Sequence, residues 1–558
     1  MPTTRVHVVP GLSTTSSRHR VKRNVLGFVV SMTMLVNIFS MPMKAYFSEL
    51  PPWATLSTPP TYANDSDFSR YTLANMQAAY NEATLPPDVY YDDMRRSVQV
   101  MRQVVIMDTV VSDDDCLARF LVGKPIALYY GVNIRNVLCA FAAANHSQDT
   151  TMASWDRHGA CMHFTYMSFL IGHNCVWLRA GNEIDGSNAL RTYTIVAAHA
   201  VYEFKAWYWF KFVYRVCLSC FVLYLMWTKY YVHCLALEDT LKRYGHRDNI
   251  DKPGRWRCEV VYGDPTAIIL MHPSVTAFFF LDCWFSVETL SVAIPRASQS
   301  ADIGIMLLGF MYLSRTVWYA YAAMCVTAAI LKRRRNEHAF AEVDPTIVAV
   351  AATLYGPAIT WAMGNYYGLL AAYIYLFQCT LPAAAKGYYI EGGLCSVLYT
   401  ISIACIPILY GYVSAAWCRG GARVQTLSSL TSVYASFRYN SVKTRALFAL
   451  LRWMYPDTNA RVPEIGGSVY TLFRRNARYK RSPTIGFRSV DVFVYCYKDN
   501  VLVERLRLSL LESLDRNLTT PSLAVLDATT PSDFNLNVLE TTQPPRLARA
   551  RRPTTWCL

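Results

Sequence analysis

The chain has 558 residues, of which 53% are hydrophobic and 17% charged, whereas an ordinary soluble domain carries roughly a quarter charged residues. Long apolar runs hold almost no charge, which excludes a single soluble domain and indicates an integral membrane protein whose main partner is the lipid bilayer. The net charge of +15 would suit nucleic acid, but no helix-turn-helix, zinc-finger or RNA-binding signature is present, so we expect no nucleic-acid partner.

The N-terminus carries basic residues before an apolar run. Residues 1–24 contain Arg18, Arg20 and Lys22 but no acid, and the run 25–43 follows. This order is typical of a cleaved signal peptide or an uncleaved signal anchor. Met43-Lys44-Ala45 is a poor cleavage site, which favours a first transmembrane segment at 25–43 with residues 1–24 in the cytoplasm.

Residues 44–201 contain no stretch that is long and apolar enough to span a membrane, and they suffice for one domain. Their pattern predicts a mixed α/β extracytoplasmic domain. It has a Pro-rich linker at 48–64 and a helix at 71–83, and strand-like runs at 98–111, 125–132 and 163–171.

This domain holds four cysteines, Cys116, Cys139, Cys161 and Cys175. An even number in an oxidising compartment predicts two disulfides. A hairpin between Cys161 and Cys175 would bring their sulfurs together, which leaves Cys116 for Cys139. The alternative is a zinc site, because Cys161-Met162-His163 mirrors His173-Asn174-Cys175, although the spacing matches no known ligand pattern.

Five more apolar segments predict a fold class of about six spans with both termini in the cytoplasm. The region 346–377 is long for one helix and is read as one span or as a segment broken at Gly356-Pro357 or Gly364. The segments after residue 201 are transmembrane 208–231, a basic cytoplasmic loop 232–265, transmembrane 266–292, 303–331, 346–377 and 393–417, a basic and partly folded cytoplasmic tail 418–516, and a disordered C-terminus 517–558.

The distribution of positive charge predicts the orientation. Residues 44–201 hold 11 Lys/Arg against 15 Asp/Glu, a net of −4, and residues 418–558 hold 21 against 10, a net of +11. With six spans, the N-terminus, the loop 232–265, the basic end of the fourth span and the tail all fall on the cytoplasmic side, as the positive-inside rule requires.

A basic amphipathic helix is predicted at 441–455, with Arg445 and Arg452 on one face and leucines on the other. Such a helix binds anionic lipid head groups at the membrane surface. The alternative is an ordinary helix packed on the tail's own core.

Modification sites follow from the same topology. Asn64 and Asn145 lie in translocated sequons and are predicted to be glycosylated, whereas Asn517 lies in a cytoplasmic one. Cys379 and Cys395 flank the short external loop between the last two spans and form a third candidate disulfide.

Ionisable residues inside apolar segments are costly and are functional candidates by default. Asp282 and Arg315 lie at similar predicted depths in neighbouring antiparallel spans, and Arg215 lies in the outer half of the second span. The sequence therefore predicts a cluster of Arg215, Asp282 and Arg315. It is either a structural clasp between helices or a polar pathway for an ion or small solute.

The sequence contains no nucleotide-binding glycine loop, nucleophile elbow, His-Glu-x-x-His or kinase signature. We therefore expect no enzyme activity, cofactor or metal. The leading hypothesis is a receptor-like or adaptor protein with an external recognition domain and a cytoplasmic tail. The alternative is a transporter or channel that uses the Asp/Arg cluster.

Overall fold

The computed structural model divides into two compact units. One unit comprises Met1–Leu35, Leu225–Ile268 and Ala422–Leu558, and the other comprises Val36–Tyr224 and Ile269–Gly421. The described residues are 20–54, 61–86, 88–106, 110–144, 154–180, 192–202, 204–244, 256–299, 302–420, 441–454, 462, 464–466, 469–470, 473, 476–515 and 556–557.

Among the described residues, four helices are long and apolar enough to cross a membrane. A fifth candidate is a pair of helices, Pro273–Trp284 (α7) and Val287–Ala297 (α8), bent by 71° at their junction. The first predicted segment is a shorter apolar helix, Val25–Phe39 (α1). The four long helices are Lys205–Asp239, Ile303–Arg334, Pro345–Asn365 and Gly393–Trp417.

Two predicted spans are interrupted. In the region 266–292, the bend separates α7 from α8 at Phe285 and Ser286. In the region 346–377, helix Pro345–Asn365 (α11) ends one residue before helix Tyr367–Leu376 (α12). The Gly364 carbonyl accepts a hydrogen bond from the Gly123 amide at 2.9 Å, outside the helix ladder, and Tyr366 is extended. Pro357 lies inside α11, so the break is near Gly364.

The other labelled helices include the segments of three of the long helices as well as shorter helices. In chain order they are Asp65–Ala79 (α2), Val132–Ala143 (α3), Lys205–Met226 (α4), Val232–Tyr244 (α5), Thr266–Leu270 (α6), Ile303–Leu313 (α9), Val317–Arg334 (α10), Gly393–Gly420 (α13) and Val442–Met454 (α14). A π-helical turn, Trp227–Tyr231, joins α4 to α5, and a 3-10 turn, Ser314–Thr316, joins α9 to α10.

The unit that contains residues 36–224 has a six-stranded sheet in the order β2-β3-β6-β5-β4-β8. We call it the recognition sheet after the external recognition domain that the sequence leads us to expect. Strands β2 to β6 pair antiparallel, and β8 pairs parallel to β4 with His163 opposite Tyr389. The strands are Tyr90–Asp93 (β2), Val98–Ile106 (β3), Gly159–Tyr166 (β4), Phe169–Ala180 (β5), Thr192–Val201 (β6) and Tyr389–Glu391 (β8).

Strand β8 was predicted to be part of a short external loop, and instead it completes the recognition sheet. Its last residue, Glu391, accepts hydrogen bonds from the amides of Met167 at 2.7 Å, Ser168 at 3.1 Å and Gly393 at 2.9 Å. One carboxylate therefore ties the β4–β5 turn to the start of α13. The sheet therefore includes a strand from outside the predicted domain 44–201.

Local predictions within this domain were partly wrong. The run 125–132 is not a strand, because it forms a 3-10 turn, Ala127–Tyr129, and the start of α3. The run 163–171 is two strands joined at Met167-Ser168, both with positive φ. This turn has neither Gly nor Asn, so the sequence carries no usual signal for it. The predicted helix begins at Asp65 rather than residue 71.

Both faces of the recognition sheet are covered. Phe68 of α2 packs on one face, with Val98, Val196 and Trp177. Helix α3 packs on the other face, and residues of α11 and α12 join the same core. The sheet and the apolar helices of this unit therefore share one hydrophobic core, which includes Ile134, Leu138, Phe141, Met363, Leu370, Ile374 and Phe377.

The other unit has its own sheet, in the order β1-β7-β10-β11-β12, with β9 paired to β11. Its strands come from the N-terminus, the predicted basic loop, the predicted tail and, for β12, the C-terminal segment that the sequence predicts to be disordered. They are Arg20–Arg23 (β1), Trp256–Val261 (β7), Glu464–Gly466 (β9), Val492–Lys498 (β10), Val501–Leu510 (β11) and Trp556–Cys557 (β12). Asp499 and Asn500, both with positive φ, form the β10–β11 turn. The other residues of the predicted disordered C-terminus, 517–558, lie outside the described residues.

Candidate functional site

Six charged side chains are buried together in the unit that contains the recognition sheet. None of these side chains is more than 6% exposed. We call them the ion cluster, and they are Glu49, Lys211, Arg215, Asp282, Glu288 and Arg315.

The structure brings together the three residues that the sequence nominated. Arg215 on α4 donates from Nε to Oδ1 of Asp282 on α7 at 2.8 Å. Arg315, in the 3-10 turn between α9 and α10, pairs with the other carboxylate oxygen of Asp282. Asp282 therefore joins two guanidinium groups from two different helices.

Glu49 lies at the centre of the ion cluster. Both of its carboxylate oxygens accept from the Arg215 guanidinium at 2.7 Å. Arg315 lies 3.3 Å away, Lys211 lies 3.4 Å away, and the Tyr312 hydroxyl donates to Oε1. Burial alone would raise the pKa of Glu49, but the charges of Arg215, Lys211 and Arg315 outweigh it and hold this pKa well below its usual range.

The charges balance within the ion cluster. Lys211 also pairs with Glu288 on α8 at 2.6 Å, so three carboxylates face three cations and the net charge is zero. The Arg215 guanidinium further donates to Ser286 Oγ at 2.7 Å, and that hydroxyl donates to the Asp282 carbonyl at 2.9 Å. These bonds lie at the bend between α7 and α8 and satisfy polar groups that the bend frees from the helix ladder.

Sequence reasoning missed Glu49 and Lys211. Glu49 lies at the start of the Pro-rich segment that was read as a linker, and nothing local marks it. Lys211 lies four residues before Arg215 and therefore on the same face of α4. That spacing was a usable signal. The role of Glu49 could be recognised only from the tertiary structure, which places this residue against the helices.

Helix α8 connects the ion cluster to the recognition sheet. The Glu288 carbonyl accepts from Ser291 Oγ at 2.6 Å, and Ser291 Oγ also contacts His199 Nε2 on β6 at 3.0 Å. At its other end, Arg296 donates to the Tyr90 hydroxyl on β2 at 3.2 Å. A displacement of the sheet would therefore act on α8, whose first turn holds a member of the cluster.

The four cysteines of the predicted external domain form two disulfides. Cys116 bonds to Cys139, and Cys161 bonds to Cys175. The last pair lies across β4 and β5, as the predicted hairpin requires. The two cysteine sulfurs of the alternative zinc site are therefore bonded to each other and are not available as metal ligands. No group of three or more metal-binding side chains occurs within the described ranges.

The third candidate disulfide is absent, because Cys379 and Cys395 are free thiols. The Cys379 thiol donates to the Leu376 carbonyl at 3.4 Å in the turn after α12. The Cys395 side chain is buried in the core of the recognition sheet.

Of the two predicted glycosylation sites, Asn64 is exposed immediately before α2 and Asn145 lies outside the described residues, as does Asn517 of the predicted cytoplasmic sequon. The predicted amphipathic helix is present as α14. Arg445 is exposed, and the side chain of Arg452 lies outside what the structure describes. Leu447 packs with Val261 and Phe493, so this side of α14 contacts the core of its own unit.

Three histidines lie close together in the recognition sheet. His163 faces His173 across β4 and β5, and the Nδ1 of His199 lies 2.5 Å from Asn174 Oδ1. Burial lowers the pKa of His163 to about 4, and it lowers the pKa values of His173 and His199 to about 3. These rings are therefore neutral at physiological pH.

Comparison with known proteins gave no match. No family model, no curated protein and no solved structure resembles this chain.

We expect Glu49 and Arg215 to be strongly coupled. Glu49→Gln leaves three cations facing two carboxylates, and Arg215→Gln leaves two cations facing three carboxylates. Each change should lower the free energy of unfolding by about 3–5 kcal/mol because an uncompensated charge stays buried. The double variant should cost less than the sum, and chemical unfolding in detergent measures all three. Asp114→Ala, in an exposed loop, is the control and should stay within about 0.5 kcal/mol of the wild type. Additive costs would contradict the coupling.

Acid should destabilise the recognition sheet. An unfolded imidazole takes up a proton near pH 6.5, roughly its model value, whereas His173 and His199 stay neutral in the fold until about pH 3. Their contribution to stability is complete above pH 6.5 and is lost as the pH falls towards 3, by up to about 1.4 kcal/mol per pH unit for each ring. The melting temperature should therefore be lower at pH 5.5 than at pH 7.5.

The matched variants for this pH effect are His199→Gln and His158→Gln. His199→Gln should show a smaller difference between the two pH values because one titrating ring is gone. His158 is exposed, so His158→Gln should keep the wild-type difference. Equal differences in all three proteins would refute the assignment to buried histidines.

Proposed function

We propose that this chain is a receptor-like membrane protein of six spans, neither an enzyme nor a transporter, in which a fixed ion cluster joins an external recognition domain to the helices. The observation that carries the proposal is the closed state of the cluster: six charges are paired, balanced and buried together. A pathway for ions needs charged groups that face water or a cavity. This arrangement favours a structural clasp between helices over a pathway for an ion or small solute.

The strand pairing supports six crossings. Strands of one sheet lie on one side of a bilayer, because an open sheet cannot extend through the hydrocarbon layer. Strands β1 and β7 are paired, so an even number of crossings separates them. The interval contains α1 and the helix Lys205–Asp239, and both must therefore cross if the longer one does. Helix α1 rises about 22 Å, which requires local thinning of the bilayer.

The same count applies to the later helices. Strands β7 and β10 are paired, and three long helices lie between them. The bent pair α7 and α8 must then supply the fourth crossing. Strands β6 and β8 belong to the recognition sheet, and four candidate crossings lie between them as well. Six crossings satisfy every pairing, whereas the four long helices alone, or those four with the bent pair, violate the pairing of β1 with β7.

Contacts in the recognition domain suit a receptor. Strand β8 leads directly into α13, and residues of α11 and α12 belong to the core of the sheet, so the domain is continuous with two of the candidate spans. Binding on this domain would act directly on helices. A domain joined only by a flexible linker could not do so.

The tail provides a lipid contact in this proposal. Trp453 is 80% exposed and Leu450 40% exposed on α14, next to the exposed Arg445. Aromatic and apolar side chains beside basic ones suit the surface of an anionic leaflet. We propose that the Trp453 side of α14 contacts lipid, while Leu447 packs inside the unit.

A transporter is the second candidate, and the bent pair α7 and α8 favours it. Broken helices line substrate sites in many transporters. Asp282 precedes the break and Glu288 follows it. In this reading the cluster would have to open and admit an ion.

A flux assay separates the two candidates. We expect liposomes that contain the full chain to pass H⁺, Na⁺, K⁺ and Cl⁻ no faster than protein-free liposomes, because the cluster is closed. The readout is a pH-sensitive or ion-sensitive dye after a salt jump. The transporter would be the better proposal if the wild type shows flux, if Asp282→Asn abolishes that flux in a folded protein, and if Asp114→Asn preserves it.

Glycosylation tests the topology. On expression of the full chain in mammalian cells, Asn64 should carry a glycan and Asn517 should not, because only the first is translocated. Mass shifts on glycosidase treatment of Asn64→Gln and Asn517→Gln variants measure this, and Ser66→Thr strengthens the first sequon. A glycan on Asn517 would reverse the proposed orientation.

A further inference from the structure

A cavity of about 300 Å³ opens between strand β3, the segment 123–129, and the ends of α8 and α11. It is distinct from the ion cluster, since no cluster residue lines it. Pockets for small molecules begin at about this size. The walls combine apolar side chains with amides and two basic side chains. Among the lining residues are Met101, Arg102, Gln103, Lys124, Ile294 and Trp361.

The cavity is positively charged. Lys124 and Arg102 line it, and no acidic residue does. Lys124 makes no ion pair with any residue that the structure describes, and its ammonium lies 5.0 Å from the centre of the Phe120 ring. Arg102 donates to the carbonyl oxygens of Pro86 and Asp88. Burial lowers the pKa of Lys124, which is the direction expected of a cation that lacks a counter-ion.

A polar atom in the cavity wall lacks a partner. The Oε1 atom of Gln103 is buried without a hydrogen bond to the described part of the chain. Buried polar atoms are seldom left in this state unless water or a ligand meets them. Because Oε1 is an acceptor, it would be met by water rather than by an anion; of these two side chains, only Lys124 offers a donor that an anion could bind.

The segment that carries Lys124 is held in a strained form. Ile126 has φ of 49° in the left-handed region, where a β-branched residue is rare, and Gly123 has φ of 74°. Such a conformation costs roughly 1–3 kcal/mol and persists only when its surroundings impose it. Here the Gly123 amide bonds to the Gly364 carbonyl at 2.9 Å, and the Tyr130 hydroxyl bonds to the Pro125 carbonyl at 2.5 Å.

We propose that this cavity binds a small amphiphilic anion, with the anionic head at Lys124 and Arg102 and the apolar part against Met101, Ile294 and Trp361. The site rests on the proposed receptor function and gives it a ligand class. An anionic head group and a short apolar tail are common to dissolved carboxylates and to lipid phosphates. The distinction between these sources is left to the experiment.

The experiment uses the full chain in phosphatidylcholine nanodiscs and titrates 6,6,6-trifluorohexanoate, observed by fluorine NMR. Saturable binding is expected. Lys124→Gln should weaken it by about tenfold or more, since a charge-assisted hydrogen bond is lost. Lys124→Arg should retain it, and Lys386→Gln, outside the cavity, should not change it. Because Lys124 has no ion pair within the described residues and loses only the contact with the Phe120 ring, Lys124→Gln should fold with a melting temperature close to that of the wild type.

The control ligand is trifluorohexylamine, which should not bind. Binding of the amine with the same affinity, or equal hexanoate binding by wild type and Lys124→Gln, would overturn the proposal. Trp361→Ala gives a second test: it should weaken hexanoate while leaving inorganic phosphate unaffected, because only the tail contact is removed.

Competition identifies the source of the anion. If nanodiscs that contain phosphatidic acid abolish hexanoate binding, the cavity takes a lipid head; if they do not, it takes a dissolved carboxylate. Failure here is distinguishable from failure of the receptor proposal. Absence of hexanoate binding without ion flux removes only the ligand class, whereas ion flux removes the receptor itself.

Discussion

The burial of Glu49 among three cations is the constraint on which this unit depends. A carboxylate with no exposed surface is tolerated only when neighbouring charges and hydrogen bonds replace water. Arg215 supplies two hydrogen bonds, and Lys211, Arg315 and Tyr312 complete the shell. Since these partners come from separate helices, satisfying Glu49 fixes how those helices approach one another.

The ion cluster also explains the bend between α7 and α8. Asp282 and Glu288 lie on opposite sides of the bend, and each must reach a different cation. Ser286 at the bend bonds to both Arg215 and the Asp282 carbonyl. A straight helix would carry these two acids on faces fixed by 3.6 residues per turn. The bend frees α8 to meet the recognition sheet through Ser291 and Arg296.

The cluster and the cavity differ in what they leave unsatisfied. In the ion cluster every charge has an opposite charge within 3.4 Å, which suits a permanent structural role. In the cavity, Lys124 lacks a counter-ion among the described residues, and Gln103 keeps a buried acceptor without a donor. Both sites contact α8 or its ends. A ligand in the cavity would therefore contact α8, the helix that joins the recognition sheet to the ion cluster.

The sequence by itself determined what depends on local composition. Apolar runs located the long helices, an even cysteine count pointed to two disulfides, and costly charges in apolar segments nominated Arg215, Asp282 and Arg315. It could not supply Glu49 or strand β8, because each acquires its role from partners that lie hundreds of residues away along the chain. Only the tertiary structure decided where the helices bend and which charges meet, since these follow from how distant segments pack around a buried charge rather than from any local pattern.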